Sequence, residues 1–490
     1  MKINRYILFV FAGMLFTSSC NKYLDQSPDM RTQIDDVDKV AQLVGSAYPS
    51  YNYLAMAESY SDNIHDKGVG IGSLDEPYVS YYNWVDVAGD DNNTPTQYWN
   101  GVYEGISAAN HALEAIRTNN FGPEVNPYKG EALIARAYGH FMLAIFFAQP
   151  YNIGGDNSTA GIPYVSEPEK EALPMYTRGT VKETYDKIRQ DLEEGLALLA
   201  GGQWKVPKYH FTPAAAYAFA ARFYLFIGEY DKAIQAANQI FPNGDFSGKL
   251  RPITTTIQAY SLAQQLIEYT KADKEYNLLL RETYSVYQRD ATFQRYGYSQ
   301  TLYNEMFSTP VFEGTTLYSR GISYNSGQDY TVYMYNEYFY LTNAQAGIGF
   351  PYIMQPLFTS DEALINRAEA YVQKGDFVKG LIDINQFISV RVRNYNSSVH
   401  NLTVDKALRS YGISDPKKAL LEAILRIKRA AFMSEGIRWM DIIRHDLTVK
   451  HIDLDAKDTE TIRELKPEDL RRVFQIPVEG KLAGIEQNPR

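Results

Sequence analysis

One cysteine stands in 490 residues, and its position, Cys20, narrows what the chain can fold into. With no second thiol to pair with, no intrachain disulfide can form, so burial alone must hold the fold together. Ahead of Cys20 lie the cations Lys2 and Arg5, the apolar run Ile7 to Phe16, and the small residues Thr17, Ser18 and Ser19. That run is too short to cross a hydrocarbon core of about 30 Å. Residues 1–19 therefore read as a cleaved signal peptide and residues 20–490 as a single mature domain.

The junction resembles the lipobox of bacterial lipoproteins, in which cleavage falls before a cysteine that then carries lipid; Thr17 stands where that box has an aliphatic residue. Acylation of Cys20 would leave no thiol for a nucleophile or a thiolate metal site. The whole chain has a formal net charge of −10, and loss of Lys2 and Arg5 makes the mature body more acidic still. Such a body repels nucleic acid and anionic headgroups, so the expected membrane contact is the lipid itself.

Helix starts recur with the same chemistry. Thr94-Pro95-Thr96-Gln97 and Thr180-Val181-Lys182-Glu183 place an N-cap hydroxyl three residues before a Gln or Glu, and Asn126-Pro127, Thr212-Pro213 and Asp415-Pro416 open three more helices. Tyr185, Ile188, Leu192, Leu196 and Leu199 then follow at helical spacing. Two segments repeat one pattern. In the first, small residues around Ala218 and Ala221 lead to Gly228, Tyr230 and Ala233; in the second, Leu364, Ala368, Tyr371, Gly375, Phe377 and Gly380 recur at the same offsets. This is the spacing of tetratricopeptide-like helical hairpins, which bury their apolar faces by stacking on neighbours. The reading is an all-α, mainly helical fold with hairpin helices near 127–148, 180–200, 213–241 and 360–393. A loop-rich insertion with a few short strands occupies 244–349, where function is expected to sit.

In order along the chain come Cys20-Asn21-Lys22-Tyr23-Leu24-Asp25, Trp99 to Asn110, Glu131 to Tyr138, Gly161-Ile162-Pro163-Tyr164 and Arg178-Gly179-Thr180-Val181. Both repeat segments follow, then Glu435 to Arg444, Ile476-Pro477 and Gln487-Asn488-Pro489. This series resembles the SusD/RagB outer-membrane nutrient-uptake lipoproteins of Bacteroidetes. The resemblance implies a helical lid on a SusC-like TonB-dependent β-barrel transporter, holding oligosaccharide, or in some members peptide, before uptake. It implies no particular binding residue, and Arg136, Trp99 and Trp439 read as frame.

No Gly-x-Ser-x-Gly elbow, His-Glu-x-x-His helix, phosphate loop or EF-hand loop occurs, so no catalytic residue, metal ligand or cofactor is expected; paired carboxylates for glycoside hydrolysis leave no sequence signature, and a surface glycosidase and a protein-binding adaptor stand as alternatives. Asp90-Asp91-Asn92-Asn93 reads as a turn before a capped helix rather than a Ca²⁺ site. The composition, with 40 Tyr, 23 Phe and 4 Trp, points elsewhere. Aromatic faces pack on the C–H face of a sugar ring while hydroxyl or indole N–H groups bond its edge. Trp84, Tyr81 and Tyr82, in a polar stretch outside any expected helix, are the first candidate ligand contacts. Tyr333 and Tyr335 in the insertion are the second, with Tyr324, Tyr330, Tyr338 and Tyr340 crowding the same region. Against this, alternation of Tyr333 and Tyr335 with Val332 and Met334 also fits a strand buried on the helices.

Overall fold

The computed structural model describes residues 34–171 and 174–490; Cys20 and the signal segment lie outside the described residues. Among the described residues no helix is long and apolar enough to cross a membrane. The principal helices are α1 (Val37–Val44), α2 (Leu54–Ser59), α3 (Tyr78–Tyr82), α4 (Pro95–Thr118), α5 (Asn126–Phe147) and α6 (Val181–Leu198). They continue with α7 (Pro213–Phe226), α8 (Tyr230–Asn238), α9 (Ser360–Gln373) and α10 (Phe377–Ser389). Last come α11 (Val404–Tyr411), α12 (Pro416–Ala431) and α13 (Ile437–Arg444).

Their starts obey local chemistry. The Thr94 side chain accepts from the Gln97 N–H, and Thr180 and Glu183 form a reciprocal capping box, so donors that no helical carbonyl can reach are satisfied at each start. Asp415 does the same for α12 through the Lys418 N–H. The helix α5 is buried on every side from Gly130 onward, which is the position of a central helix.

Three antiparallel helix pairs, α5/α6, α7/α8 and α9/α10, stack as the frame. The second and third end their first helix identically. Gly228 and Gly375 take φ of +79° and +83°, a left-handed turn that a side chain disfavours. The following N–H then reaches back, Glu229 to the Tyr224 carbonyl and Asp376 to the Tyr371 carbonyl, each at 2.9 Å. In the first pair the device is closeness. A Cβ on Gly195 would lie 2.6 Å from Ile134 Cγ1 and 2.8 Å from the Gly130 carbonyl oxygen, so two glycines bring α5 and α6 into backbone contact.

The all-α expectation is amended by the insertion, which is less a loop than a small antiparallel sheet. Strands β1 (Asn277–Tyr284), β4 (Glu337–Asn343) and β5 (Ile348–Thr359) form it in the order β1-β5-β4, with hairpins β2 (Ile322–Ser326)/β3 (Asp329–Val332) and β6 (Val449–Leu454)/β7 (Glu460–Leu465) beside the frame. Strand β5 runs past the expected boundary at residue 349 directly into α9. The sheet is riveted to α7 where Arg222 Nη2 donates to the Leu357 carbonyl at 2.7 Å. Phe358 adds ring contacts to Tyr138, Phe211 and Phe219.

Candidate functional site

The first-choice aromatics are corrected by the structure: Tyr81, Tyr82 and Trp84 belong to the core. Their stretch is not a loop but the short helix α3 and its exit, and all three side chains are buried. Each polar tip is already used. Tyr81 Oη donates to the Asn93 carbonyl at 2.6 Å, Tyr82 Oη to Ile452 at 2.7 Å and Trp84 Nε1 to Tyr60 at 3.2 Å. The His451 ring stacks on Tyr82 at 4.2 Å and on Trp84 at 4.4 Å, and Tyr296 stacks on Tyr82 at 3.9 Å. Tyr335 is likewise buried, and its neighbour Tyr333 is half-buried.

The turn ahead of α4 is taken up by the cap. Asn93 N–H donates to Gln97 Oε1 at 2.9 Å and Asn93 Nδ2 to Tyr78 Oη at 3.1 Å, while Thr94 Oγ1 donates to the Asp91 carbonyl at 2.7 Å. Among the described residues no cluster of three or more His, Cys, Asp or Glu side chains is placed to hold a metal ion.

Open aromatics gather instead on the sheet β1-β5-β4. In an antiparallel pair, residues directly opposite share a face. Tyr284 lies opposite Tyr352, Tyr352 opposite Tyr338, and one step along the same face Phe350 lies opposite Tyr340. Strand alternation turns Thr283 and Ile353 to the other face, where both are buried. The sheet therefore presents its inner face to the core and an aromatic face outward.

The rings on that face touch one another. Tyr284 makes edge contacts with Phe350 at 5.9 Å and Tyr352 at 6.0 Å, Tyr338 stacks with Tyr352 at 6.2 Å, and Tyr51 joins from outside the sheet at 5.8 Å from Tyr284. Tyr340 is 62% and Phe350 45% exposed, whereas Tyr51, Tyr284, Tyr338 and Tyr352 are half-buried. An outward sheet face is ordinarily polar, so a contiguous aromatic patch is an exception that calls for a partner. A carboxylate edges it: Tyr338 Oη donates to Glu282 Oε2, whereas Glu337, opposite Ile353, lies on the other face and pairs with Arg289. The Tyr338 hydroxyl, desolvated and beside that carboxylate, is held well above its ordinary pKa and stays a neutral donor. Burial and the nearby Glu104 raise Tyr51 in the same direction.

Concave regions lie elsewhere. A groove of 810 Å³ runs along α8, α9 and α10, where Arg367 is consumed by Asp383, Asn238 and the Gly244 carbonyl. A pocket of 360 Å³ beside α4 has Trp99, Tyr103 and Tyr176 in its wall and Glu104, Glu167 and Glu169 among its lining groups. Of the residues read as frame, Trp439 is fully buried and Arg136 forms a bidentate pair with Asp191.

The Tyr284, Tyr352 and Tyr338 row escaped the sequence reading because it depends on register. Pro351 and Pro356 in β5 argue locally against a strand, and a central strand at that. Tyr338 and Tyr340 drew attention by abundance alone.

Comparison with known proteins bears on the whole chain. Residues 22–225 match the family model SusD-like_3, described as starch-binding associating with outer membrane. No curated protein matches the chain by sequence. Among solved structures, a SusD superfamily protein from Bacteroides thetaiotaomicron is similar over 93% of this chain and 100% of its own, with a TM-score of 0.65 and 19% identity. A structure titled putative sugar binding protein from Bacteroides vulgatus aligns over 94% of this chain and 99% of its own, with a TM-score of 0.63 and 21% identity. A laminarin binding SusD-like protein aligns over 93% and 99%, with a TM-score of 0.58 and 16% identity. Residues 22–225 thus match the SusD-like family, and the chain shares the SusD fold along nearly its whole length.

Proposed function

We propose that this chain is a glycan-binding lipoprotein of the outer membrane that holds oligosaccharide on the aromatic face of its insertion sheet and passes it to a TonB-dependent transporter. The aromatic face carries the reading. Flat rings with edge hydroxyls match a sugar's apolar face and hydroxyl rim, and the carboxylate of Glu282 is an acceptor for further hydroxyls. The family description, starch-binding associating with outer membrane, and the laminarin binding relative support a neutral glycan as ligand. An acidic sugar or phosphate would meet that carboxylate and the net negative charge, so a neutral oligosaccharide is the better fit. The role assigned is binding without catalysis, and anchoring through acylated Cys20 is part of the same proposal.

Calorimetric titration against a panel of neutral oligosaccharides, with thermal melts alongside, tests it. Tyr352→Ala and Tyr340→Ala are each expected to weaken binding about tenfold, the equivalent of about 1.4 kcal/mol for a stacked ring. The Tyr340→Ala melt should stay unchanged, because that ring is exposed. Full affinity in both variants would remove this face from the site; no affinity for any glycan would remove the function.

A second reading has its own observation. At the β4–β5 hairpin tip the opposite face is also apolar and open, with Phe339 and Leu341 each about half exposed. Apolar side chains without hydroxyls suit a protein contact better than a sugar, so the tip is the better candidate for the transporter or for a peptide. Phe339→Ser together with Leu341→Ser should then lose co-purification with the transporter and keep glycan affinity. Loss of glycan affinity in that variant would assign the whole hairpin to the ligand.

A further inference from the structure

Three buried arginines meet between the insertion and the helical frame, and their charges do not balance. Arg251, Arg320 and Arg391 are all at least nine-tenths buried, as are the two carboxylates among them, Glu435 and Asp361. Arg251 Nη1 donates to Glu435 at 3.1 Å, and Arg391 Nη2 donates to Asp361. Asp361 also accepts from the Arg251 backbone N–H at 3.2 Å. The nearby Glu58 is not available, because it accepts from Gly436 N–H and Asn63 Nδ2.

Arg320 is left over. It stands just before β2, 6% exposed, with its guanidinium carbon 3.3 Å from the centre of the Tyr269 ring. Arg251 also lies over this ring at 3.7 Å, so one π-system is shared between two cations. Arg320 Nη2 donates to the sulfur of Met334 at 3.2 Å, a weak acceptor, and Nη1 has no hydrogen-bond partner among the described residues. A buried guanidinium without a carboxylate is strongly unfavourable unless another anion supplies the missing charge.

A cavity of 20 Å³ adjoins it, with Arg320, Arg391, Tyr269, Tyr318 and Met334 among the residues lining its wall and no carboxylate in that wall. Such a space admits one water-sized particle and excludes phosphate, sulfate or a sugar. We infer that this cavity is a halide site, in which one chloride ion accepts from Arg320 Nη1 and balances the third arginine. Arg320 belongs to the insertion, Arg391 follows α10, and Ala430 and Ala431 in the same wall end α12. The ion therefore pins the insertion to the frame, independently of what the aromatic face binds.

Crystals of the soluble body grown or soaked in sodium bromide test this by anomalous diffraction at the bromine edge. A peak within hydrogen-bonding distance of Arg320 Nη1 is expected. Thermal melts in chloride and in gluconate at matched ionic strength should differ, chloride giving the higher midpoint by about 1–2 °C. In Arg320→Met the surplus charge is gone, and the two salts should give the same midpoint. Arg320→Lys keeps the charge and should keep part of the difference. A water in the cavity with no bromide peak at saturating salt, together with coincident wild-type melts, would overturn the inference whether or not the variants fold.

Discussion

His140 faces opposite kinds of partner on its two ring nitrogens. Nε2 meets the Val165 N–H at 3.0 Å, which can only donate, so the proton sits on Nδ1 and is given to the Arg136 carbonyl at 2.9 Å. Burial pushes the imidazole down to about 3 from its ordinary 6.5. Protonation would set N–H against N–H. The unfolded chain therefore takes up this proton first as pH falls, and stability drops by about 1.4 kcal/mol per pH unit from 6.5 down to the folded value. Glu58, raised by burial to about 7, contributes with the opposite sign between 4.5 and 7, so overall stability does not isolate His140. The direct check is long-range ¹H–¹⁵N spectroscopy: a neutral ring protonated at Nδ1 is expected at pH 5, and a midpoint near 6.5 would contradict it. Trp84→Ala belongs at the same scale. As a core residue it should cost about 3–5 kcal/mol in a denaturation experiment and leave the affinity of whatever folds unchanged. Trp84 reads as a ligand residue from sequence because its neighbours are polar and Gly-rich, whereas its real partners, His451 and the Tyr60 carbonyl, are distant in the chain. Burial made by distant contacts leaves no local mark.

Local rules are legible at the scale of the element. The caps at Thr94, Thr180 and Asp415 could be read because each is closed within four residues, and the two glycine turns because left-handed backbone selects glycine. Sheet β1-β5-β4 was not legible, since the pairing of Tyr284 with Tyr352 spans a long stretch of chain and both prolines of β5 signal against it. The contact of α5 with α6 yields a prediction. Gly195→Val would drive a branched side chain into Ile134 and the Gly130 carbonyl, costing about 1–3 kcal/mol as a lower denaturant midpoint. Asp191→Ala should cost more, about 3–5 kcal/mol, because it strands the Arg136 guanidinium, which otherwise donates twice to Asp191 and once each to Asn110 and Ser166. Equal midpoints for Asp191→Ala and the wild type would mean that water replaces the pair at no loss.

Across the whole molecule the chain is laced end to end, so that helical hairpins which could grow as a repeat array are closed into one body. Tyr60 near the start packs on Trp439 at 5.4 Å and on Phe474 at 4.5 Å. Arg178 reaches the far end, donating to Asn488 Oδ1 at 2.7 Å and the Glu486 carbonyl at 3.1 Å. Asn488 Nδ2 returns to the Phe147 carbonyl at 3.0 Å and the Phe474 carbonyl at 2.7 Å, clamping the C-terminal segment to the end of α5. That Arg178 and Asn488 lie in two of the segments carrying the family resemblance is thereby given a physical reason: they are halves of one joint. A linear repeat protein shares energy only between neighbours, whereas here residues from both ends enter one core. The described body should accordingly melt as a single unit, with calorimetric and van't Hoff enthalpies equal. Asn488→Ala should lower stability by about 2–3 kcal/mol, because Arg178 loses a charge-assisted bond and the Phe147 and Phe474 carbonyls lose a donor. It should do so without splitting the transition. Two separated transitions in the wild type, or a C-terminal segment that is clipped by protease while the rest keeps its melt, would instead mean that the clamp is a local latch and the frame folds without it.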